Sequence, residues 1–414
     1  TDRPDAVYTC GETVTFTVSV KDKGVVVQTG EVSVSLSLDR GRSLGQQETA
    51  LKNGSAVFTG TLDQPGFLRA SVRVKHGGKT YRGLGSAGFE PEKIRPATTL
   101  PDDFESFWEA GRKRIAAIPA DYRERRIEKK CTAAYDSFAI SFGNIDGTRI
   151  YGFLCVPKGA GPFPAWVSVP GAGPGPSGPP TGYAAKGCLT MVISVHAYDV
   201  GSLSREEVAA AYKELNKSGI YSHHGAPDPE KYYFRRAILG VDRAIDWLAS
   251  RRDWDRRHMV IDGSSQGGAF ALIMTGLNKN ITAAAANVPA MCDHAGAKLE
   301  RAPGWPRIVR GDAEEQAARL KMSTYFDAVN FGRFIRVPVI MSAGFIDGTC
   351  SPSSVYAAHS VISSPKRIFN GPLAGHQWNV GDYRPFLAKW VPGQLGIAPV
   401  VPPTDVAKHT PEKK

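Results

Sequence analysis

The chain has 414 residues, 42% of them apolar and 22% charged, which fits a globular protein of two or three domains and excludes a disordered or fibrous one. Its formal charge of +11 is spread along the chain; the densest basic cluster, Arg123-Glu124-Arg125-Arg126 with Lys129-Lys130, is broken by acids, and no nucleic-acid motif accompanies it. No run is long and apolar enough to cross a membrane, and the six cysteines lack the spacing of a zinc site or a disulfide framework.

The chain starts at Thr1 rather than Met, so a removed leader and a secreted or periplasmic address are the expectation. Residues 1–90 then read as all-β. Val14, Phe16, Val18 and Val20 alternate with Thr and Ser, and Val32, Val34, Leu36 and Leu38 do the same. Turn signals at Asn53-Gly54, Pro65-Gly66 and Gly77-Gly78 separate the runs. This pattern predicts a small immunoglobulin-like β-sandwich that serves for packing or binding.

Residues 91–134 read as a linker and a first helix. Glu90 to Pro96 is proline-marked and predicted to be extended. Asp102 is placed to cap a helix whose apolar face is Phe104, Phe107, Trp108 and Ile115. Over 135–392, strand-like runs alternate with helices. The strands are predicted near Phe138–Phe142, Tyr151–Val156, Ala165–Val169, Leu189–Val195, Met259–Ile261, Ala283–Val288 and Val337–Ala343. A helix is predicted over Pro229–Ala249. Such alternation predicts a mostly parallel sheet covered by helices. Residues 393–414 are rich in proline and lysine and are expected to form a loose tail.

The chemistry is concentrated in Asp262-Gly263-Ser264-Ser265-Gln266-Gly267-Gly268, between the apolar runs Met259–Ile261 and Ala269–Met274. A strand, a glycine-flanked serine and a helix make the context of a nucleophile elbow, and the Gly-x-Ser-x-Gly frame selects Ser265. A serine hydroxyl needs a histidine to take its proton and a carboxylate to hold that histidine. In an α/β-hydrolase the acid and then the histidine follow the serine along the chain. Asp347 lies in a turn-rich loop after a late strand, whereas Asp327 precedes that strand. His376 follows the short last strand. His294 precedes the acid, His359 falls in a helix, and His409 falls in the tail. The expected triad is therefore Ser265, Asp347 and His376.

The backbone amide of Gln266 is one expected oxyanion donor. The amide of Ala172, in the loop Pro170–Pro176, is the other. His196 to Asp199 reads equally as pocket wall or as structural loop. His223-His224 and Cys292-Asp293-His294 have metal-ligand residue types without a recognised spacing, so no metal and no organic cofactor is expected. Gly171-x-Gly173-x-Gly175 lacks dinucleotide spacing.

Four segments resemble the acetylxylan esterase and cephalosporin-C deacetylase family, carbohydrate esterase family seven. They are Pro101-x-Asp103-Phe104-x-x-Phe107-Trp108, Gly263-x-Ser265-Gln266-Gly267-Gly268, Val288–Asp293, and Asp347-x-x-Cys350-x-Pro352 with Gly375-His376. The resemblance covers roughly residues 95–390. It implies an α/β-hydrolase fold, a serine carboxylesterase acting through an acyl-enzyme, and an acetylated oligosaccharide or polysaccharide as substrate. It also implies a homo-oligomer. The sequence departs from the family at Pro170-Gly171-Ala172, where the usual segment is His-Gly-Tyr, at His196 to Val200, where Arg-Gly-Gln-Gly is missing, and at Gln377, where Glu is usual. Two alternatives stay open: an esterase for another carbohydrate ester (feruloyl, glucuronoyl or methyl), and a non-catalytic glycan-binding protein on a hydrolase scaffold.

Overall fold

The computed structural model describes residues 1–377 and 379–397. The N-terminal region is a β-sandwich. Its larger sheet has the spatial order Val7–Tyr8, Lys79–Phe89, Gly66–His76, Gly30–Leu38 and Ser43–Leu51. The first pairing is parallel and the others are antiparallel. Val14–Ser19 and Ser55–Gly60 form the facing ladder. The alternation in the sequence maps onto the pleat: Val32, Val34 and Leu36 are buried while Glu31, Ser33 and Ser35 face out. Phe16 stacks on Phe58 across the ladder, with ring centroids 4.9 Å apart.

Glu90 to Pro96 is not extended throughout. Glu90 takes a left-handed conformation (φ 40°), and Pro91–Lys93 close a 3-10 turn in which the Lys93 amide donates to the Glu90 carbonyl at 2.8 Å. Proline at the first position of the turn favours this. The following helix is Phe104–Ala116. Asp103 rather than Asp102 stands at its start, and its carboxylate is taken by the Tyr325 hydroxyl (2.7 Å), so it makes no capping bond. Phe104, Trp108 and Ile115 are buried as the pattern requires.

The nine-stranded second sheet runs, in space, Arg123–Arg126, Tyr135–Gly143, Arg149–Pro157, Leu189–Ile193, Phe163–Ser168, Trp254–Ser264, Ala283–Asn287, Val339–Gly344 and Lys366–Gly371. The first three pairings are antiparallel and the remaining five parallel. Arg123–Arg126 was expected within the linker region but forms the edge strand of this sheet. All four residues are exposed, so no apolar alternation marks them, and their charges suit an edge. The long helix runs Tyr233–Ser250, starting four residues later than expected, because the Asp228 carboxylate takes the Glu230 amide (2.9 Å) and folds Asp228–Lys231 into a turn. A last helix, Tyr383–Gln394, crosses the expected start of the tail; residues 398–414 lie outside the described residues. All six cysteines are free thiols.

The sandwich is joined to the second region by its own core. Phe67 is fully buried and belongs to the hydrophobic core of the second sheet, with its ring 4.8 Å from Phe345 and 5.6 Å from Tyr356.

Candidate active site

The strand Trp254–Ser264 lies between two parallel neighbours and delivers Ser265 at its C-terminal end. Ser265 has φ 58° and ψ −120°, a conformation that costs a non-glycine residue about 1–3 kcal/mol. Its surroundings impose it: the Ser265 amide donates to the Asn287 carbonyl (2.9 Å), and its carbonyl accepts from Ala269 (2.9 Å) and Ala290 (3.0 Å). The glycines are required by space. A Cβ on Gly263 would stand 2.3 Å from the Gly267 carbonyl group, one on Gly267 2.0 Å from the Val169 oxygen, and one on Gly268 2.9 Å from the Asn287 oxygen. The helix Gln266–Leu277 can follow the strand this closely only without those side chains.

Two other strand ends complete the arrangement. Val339–Gly344 leads into Asp347, which is fully buried. One carboxylate oxygen of Asp347 accepts from the Thr349 and Cys350 amides (2.7 and 3.0 Å), and the other lies 2.8 Å from His376 Nδ1. Lys366–Gly371 leads into the loop carrying His376, whose Nε2 lies 2.9 Å from Ser265 Oγ. A carboxylate only accepts, so the Nδ1 proton faces Asp347 and the Nε2 lone pair faces the serine hydroxyl.

Asp327 is also buried, but its carboxylate is occupied by the Asp293, His294 and Val329 amides and the Thr98 hydroxyl, and it bonds to no histidine side chain. His359 Nδ1 lies 3.4 Å from Glu92. His223 and His224 each face a backbone carbonyl. His409 lies outside the described residues.

Gln266 opens the helix, so its amide has no intrahelical acceptor. Its buried side chain accepts from the Tyr221 hydroxyl and donates to the Pro170 carbonyl (3.3 Å). Ala172 is exposed on the adjoining loop, and its amide makes no backbone hydrogen bond among the described residues. A Cβ on its neighbour Gly171 would stand 3.3 Å from the Ser264 oxygen and 3.8 Å from Ser265 Cβ. The loop is fixed at further points. His196 Nε2 lies 2.8 Å from the Gly173 carbonyl and Nδ1 2.7 Å from the Tyr233 hydroxyl, and Tyr198 donates to the Pro174 carbonyl at 2.6 Å. Burial pulls the His196 imidazole down to about 4, so it is neutral at pH 7, donating from Nε2 and accepting at Nδ1. Of the two readings of His196 to Asp199, His196 and Tyr198 take the structural one.

The sequence reading named the Gln266 amide but missed its side chain, and it missed Tyr221 and Asn287 altogether, because these side chains meet their partners only in the folded chain. Asn287 shows it best, donating to Ser264 Oγ (2.8 Å) and the Gln377 carbonyl (3.2 Å) while accepting from Ser342 Oγ (2.6 Å). Cys350 faces Ser265, and burial with the Asp347 carboxylate pushes its thiol well above the ordinary range. It is therefore a protonated neighbour rather than a competing nucleophile.

Asp262, three residues before Ser265, is buried with one oxygen lacking a hydrogen-bond partner among the described residues. Burial pushes its carboxyl from 3.8 up to about 7. The folded state therefore holds this proton more tightly than the unfolded chain, and the stability the group contributes falls as pH rises between those values. Asp262→Asn should raise the melting temperature at pH 8 and lose that advantage at pH 4. An equal gain at both pH values would sink this account.

A mostly parallel sheet whose strand ends bring a serine, a histidine and a carboxylate into one hydrogen-bonded line defines the α/β-hydrolase class. The chain belongs to the acetyl xylan esterase (AXE1) family, whose sequence profile matches residues 90–390, and it is a carboxylic ester hydrolase. It is 32% identical over 399 residues to acetyl esterase Axe7A of Xylanibacter ruminicola, a match covering 94% of this chain and 89% of that protein. Coverage this wide takes in much of the sandwich. Among solved structures, an acetyl xylan esterase from Paenibacillus sp. R4 superposes with a TM-score of 0.62 at 24% identity, covering 73% of this chain and 98% of that one. Acetyl xylan esterase 1 from Thermoanaerobacterium sp. JW/SL YS485 gives 0.62 at 20% identity, covering 74% and 98%. These two likenesses establish the α/β-hydrolase fold.

Proposed function

We propose that this protein removes acetyl groups from acetylated xylan and its oligosaccharides, with Ser265 as nucleophile, His376 as general base and acid, and Asp347 as the group that orients His376. Ser265 Oγ attacks the ester carbonyl while its proton passes to His376 Nε2. The tetrahedral oxyanion is held by the amides of Gln266 and Ala172. Collapse expels the sugar oxygen, which takes the proton from His376, and leaves an acetyl-serine. Water, deprotonated by His376, then attacks that ester and releases acetate.

The observation that carries this reading is the unbroken line from Ser265 Oγ through His376 (2.9 Å) to Asp347 (2.8 Å). Family membership supplies the acetyl ester. Acetate release from acetylated xylan, followed with the mass of the protein after fluorophosphonate treatment, tests both parts. The expected result is acetate in solution and one adduct on Ser265. A protein that labels but releases only larger acyl groups would be an esterase for another carbohydrate ester. One that does neither would be a binding protein on this scaffold.

A secreted or periplasmic address, where the polymer is met, and a homo-oligomer belong to the same reading. They are checked by fractionating the source cells and by light scattering. Among the described residues no helix is long and apolar enough to cross a membrane.

A further inference from the structure

The loop that carries Asp347 is gripped from outside its own domain. The strand Gly30–Leu38 of the sandwich ends in a turn at Asp39 and Arg40, both left-handed (φ 43° and 65°). This turn is pressed against the second region: a Cβ on Gly41 would stand 1.8 Å from the Glu300 carbonyl oxygen, and the Arg42 amide donates to that oxygen at 2.8 Å. From there the sandwich reaches three successive points. Arg69, buried on the neighbouring strand, donates to the Asp347 carbonyl at 3.4 Å. Arg40 donates to the Gly348 carbonyl. Asp39, fully buried, accepts from the Ser353 amide at 2.9 Å, at the start of the helix Pro352–Val361, whose own first residues supply no side-chain cap. Arg40, Arg69 and Arg307 each direct a donor at a backbone carbonyl of this loop, and Arg69 also lies in the field of the Asp39 and Asp347 carboxylates.

Peptide geometry turns this grip into an effect on the site. A trans peptide is planar, with its carbonyl and the next amide pointing in opposite directions. Holding the Gly348 oxygen outward therefore sends the Thr349 N–H inward, to the Asp347 carboxylate oxygen it meets at 2.7 Å. Holding the Asp347 oxygen fixes the preceding peptide in the same way. Asp39, acting as a cap from the sandwich, anchors the far end of the loop. Arg307, from the second region, also donates to the Gly348 carbonyl, so that oxygen is shared between the two regions.

We propose that Asp39, Arg40 and Arg69 of the β-sandwich are positioning residues for ester cleavage: they set the loop Asp347–Ser353 so that the Asp347 carboxylate meets His376. The proposal rests on the assignment of Asp347 as the triad acid. It makes the sandwich a working part of the active site in the same chain, beyond a packing or glycan-holding module.

The test uses the full chain with Arg40→Ala, Arg40→Lys, Arg69→Met and, as a control at the far end of the sandwich, Lys79→Ala, whose partner is Asp22. Thermal melting reports folding; kcat and KM on an aryl acetate and the rate of Ser265 phosphonylation report the site. Arg40→Ala and Arg69→Met should lower kcat by about 10–100-fold with KM nearly unchanged, because a misplacement of about 1 Å costs on the order of 10²-fold. Phosphonylation should slow in parallel. Arg40→Lys keeps a donor for Gly348 and should recover most of the loss, and Lys79→Ala should match the parent. Arg40 is exposed, so Arg40→Ala decides the matter if Arg69→Met fails to fold. A folded Arg40→Ala with kcat within about twofold of the parent, or with a loss confined to KM, overturns the proposal. Failure of the triad assignment shows separately, as an Asp347→Asn variant that keeps the parental kcat and the parental rate of Ser265 phosphonylation.

Discussion

Ser265→Ala is expected to lower kcat on an aryl acetate by on the order of 10⁶-fold, and His376→Ala by about as much. The two residues act as one device. Without the hydroxyl there is no nucleophile, and without the imidazole nothing takes its proton at neutral pH. The double variant should therefore be no worse than either single one, whereas independent contributions would multiply. Asp347→Asn should cost about 10⁴-fold, because an amide in place of the carboxylate favours the wrong His376 tautomer. Activity above water should persist in all three, since the amides of Gln266 and Ala172 are backbone groups and survive the substitutions. Steady-state kinetics with active-site titration measures this series. A double variant far below both singles would show that Ser265 and His376 do not share a step, despite the 2.9 Å between them.

The second large effect is expected at Gly267. Its α-carbon lies so close to the strand end that an added Cβ would stand 2.0 Å from the Val169 carbonyl oxygen. No side-chain rotation relieves a clash with backbone. Either the helix Gln266–Leu277 moves off the sheet or the segment Val169–Pro170 moves away from Ser265. Gly267→Ala should therefore destabilise by about 3 kcal/mol, at the upper end of overpacking costs. It should also reduce kcat by about 10²-fold, because the displaced segment carries the loop to Ala172. Denaturant unfolding and kinetics on the folded fraction separate the two losses. A variant with parental stability and turnover would mean that the helix and strand are less tightly apposed than described.

The parts of this molecule that were legible in the sequence are those encoded locally. The elbow is seven consecutive residues, and its glycines are explained by contacts within a few ångströms. Asp347 and His376 were findable because chain order and strand ends narrow the choice to one loop each. The sandwich strands announce themselves by alternation. What was not legible is encoded by partners distant in sequence or by residues without a pattern. Arg123–Arg126 carries no apolar signal, because an exposed edge strand needs none. Asp102 looked like a cap because nothing local reveals that Tyr325 claims Asp103. The grip of Arg69 on Asp347 joins residues 278 positions apart. No spacing rule reaches that far, and the sandwich therefore read as a module with no part in the chemistry.

Phe67 has a consequence for how the chain is made. It leaves the ribosome well before the rings that cover it, Phe345 and Tyr356. At about 5–20 residues per second, roughly 15–55 s pass between the synthesis of Phe67 and that of Phe345. During that interval the newborn sandwich presents an aromatic plug to solvent with no socket to receive it. The docking of the sandwich thus waits on the synthesis of the helix Pro352–Val361, however early the sandwich itself folds.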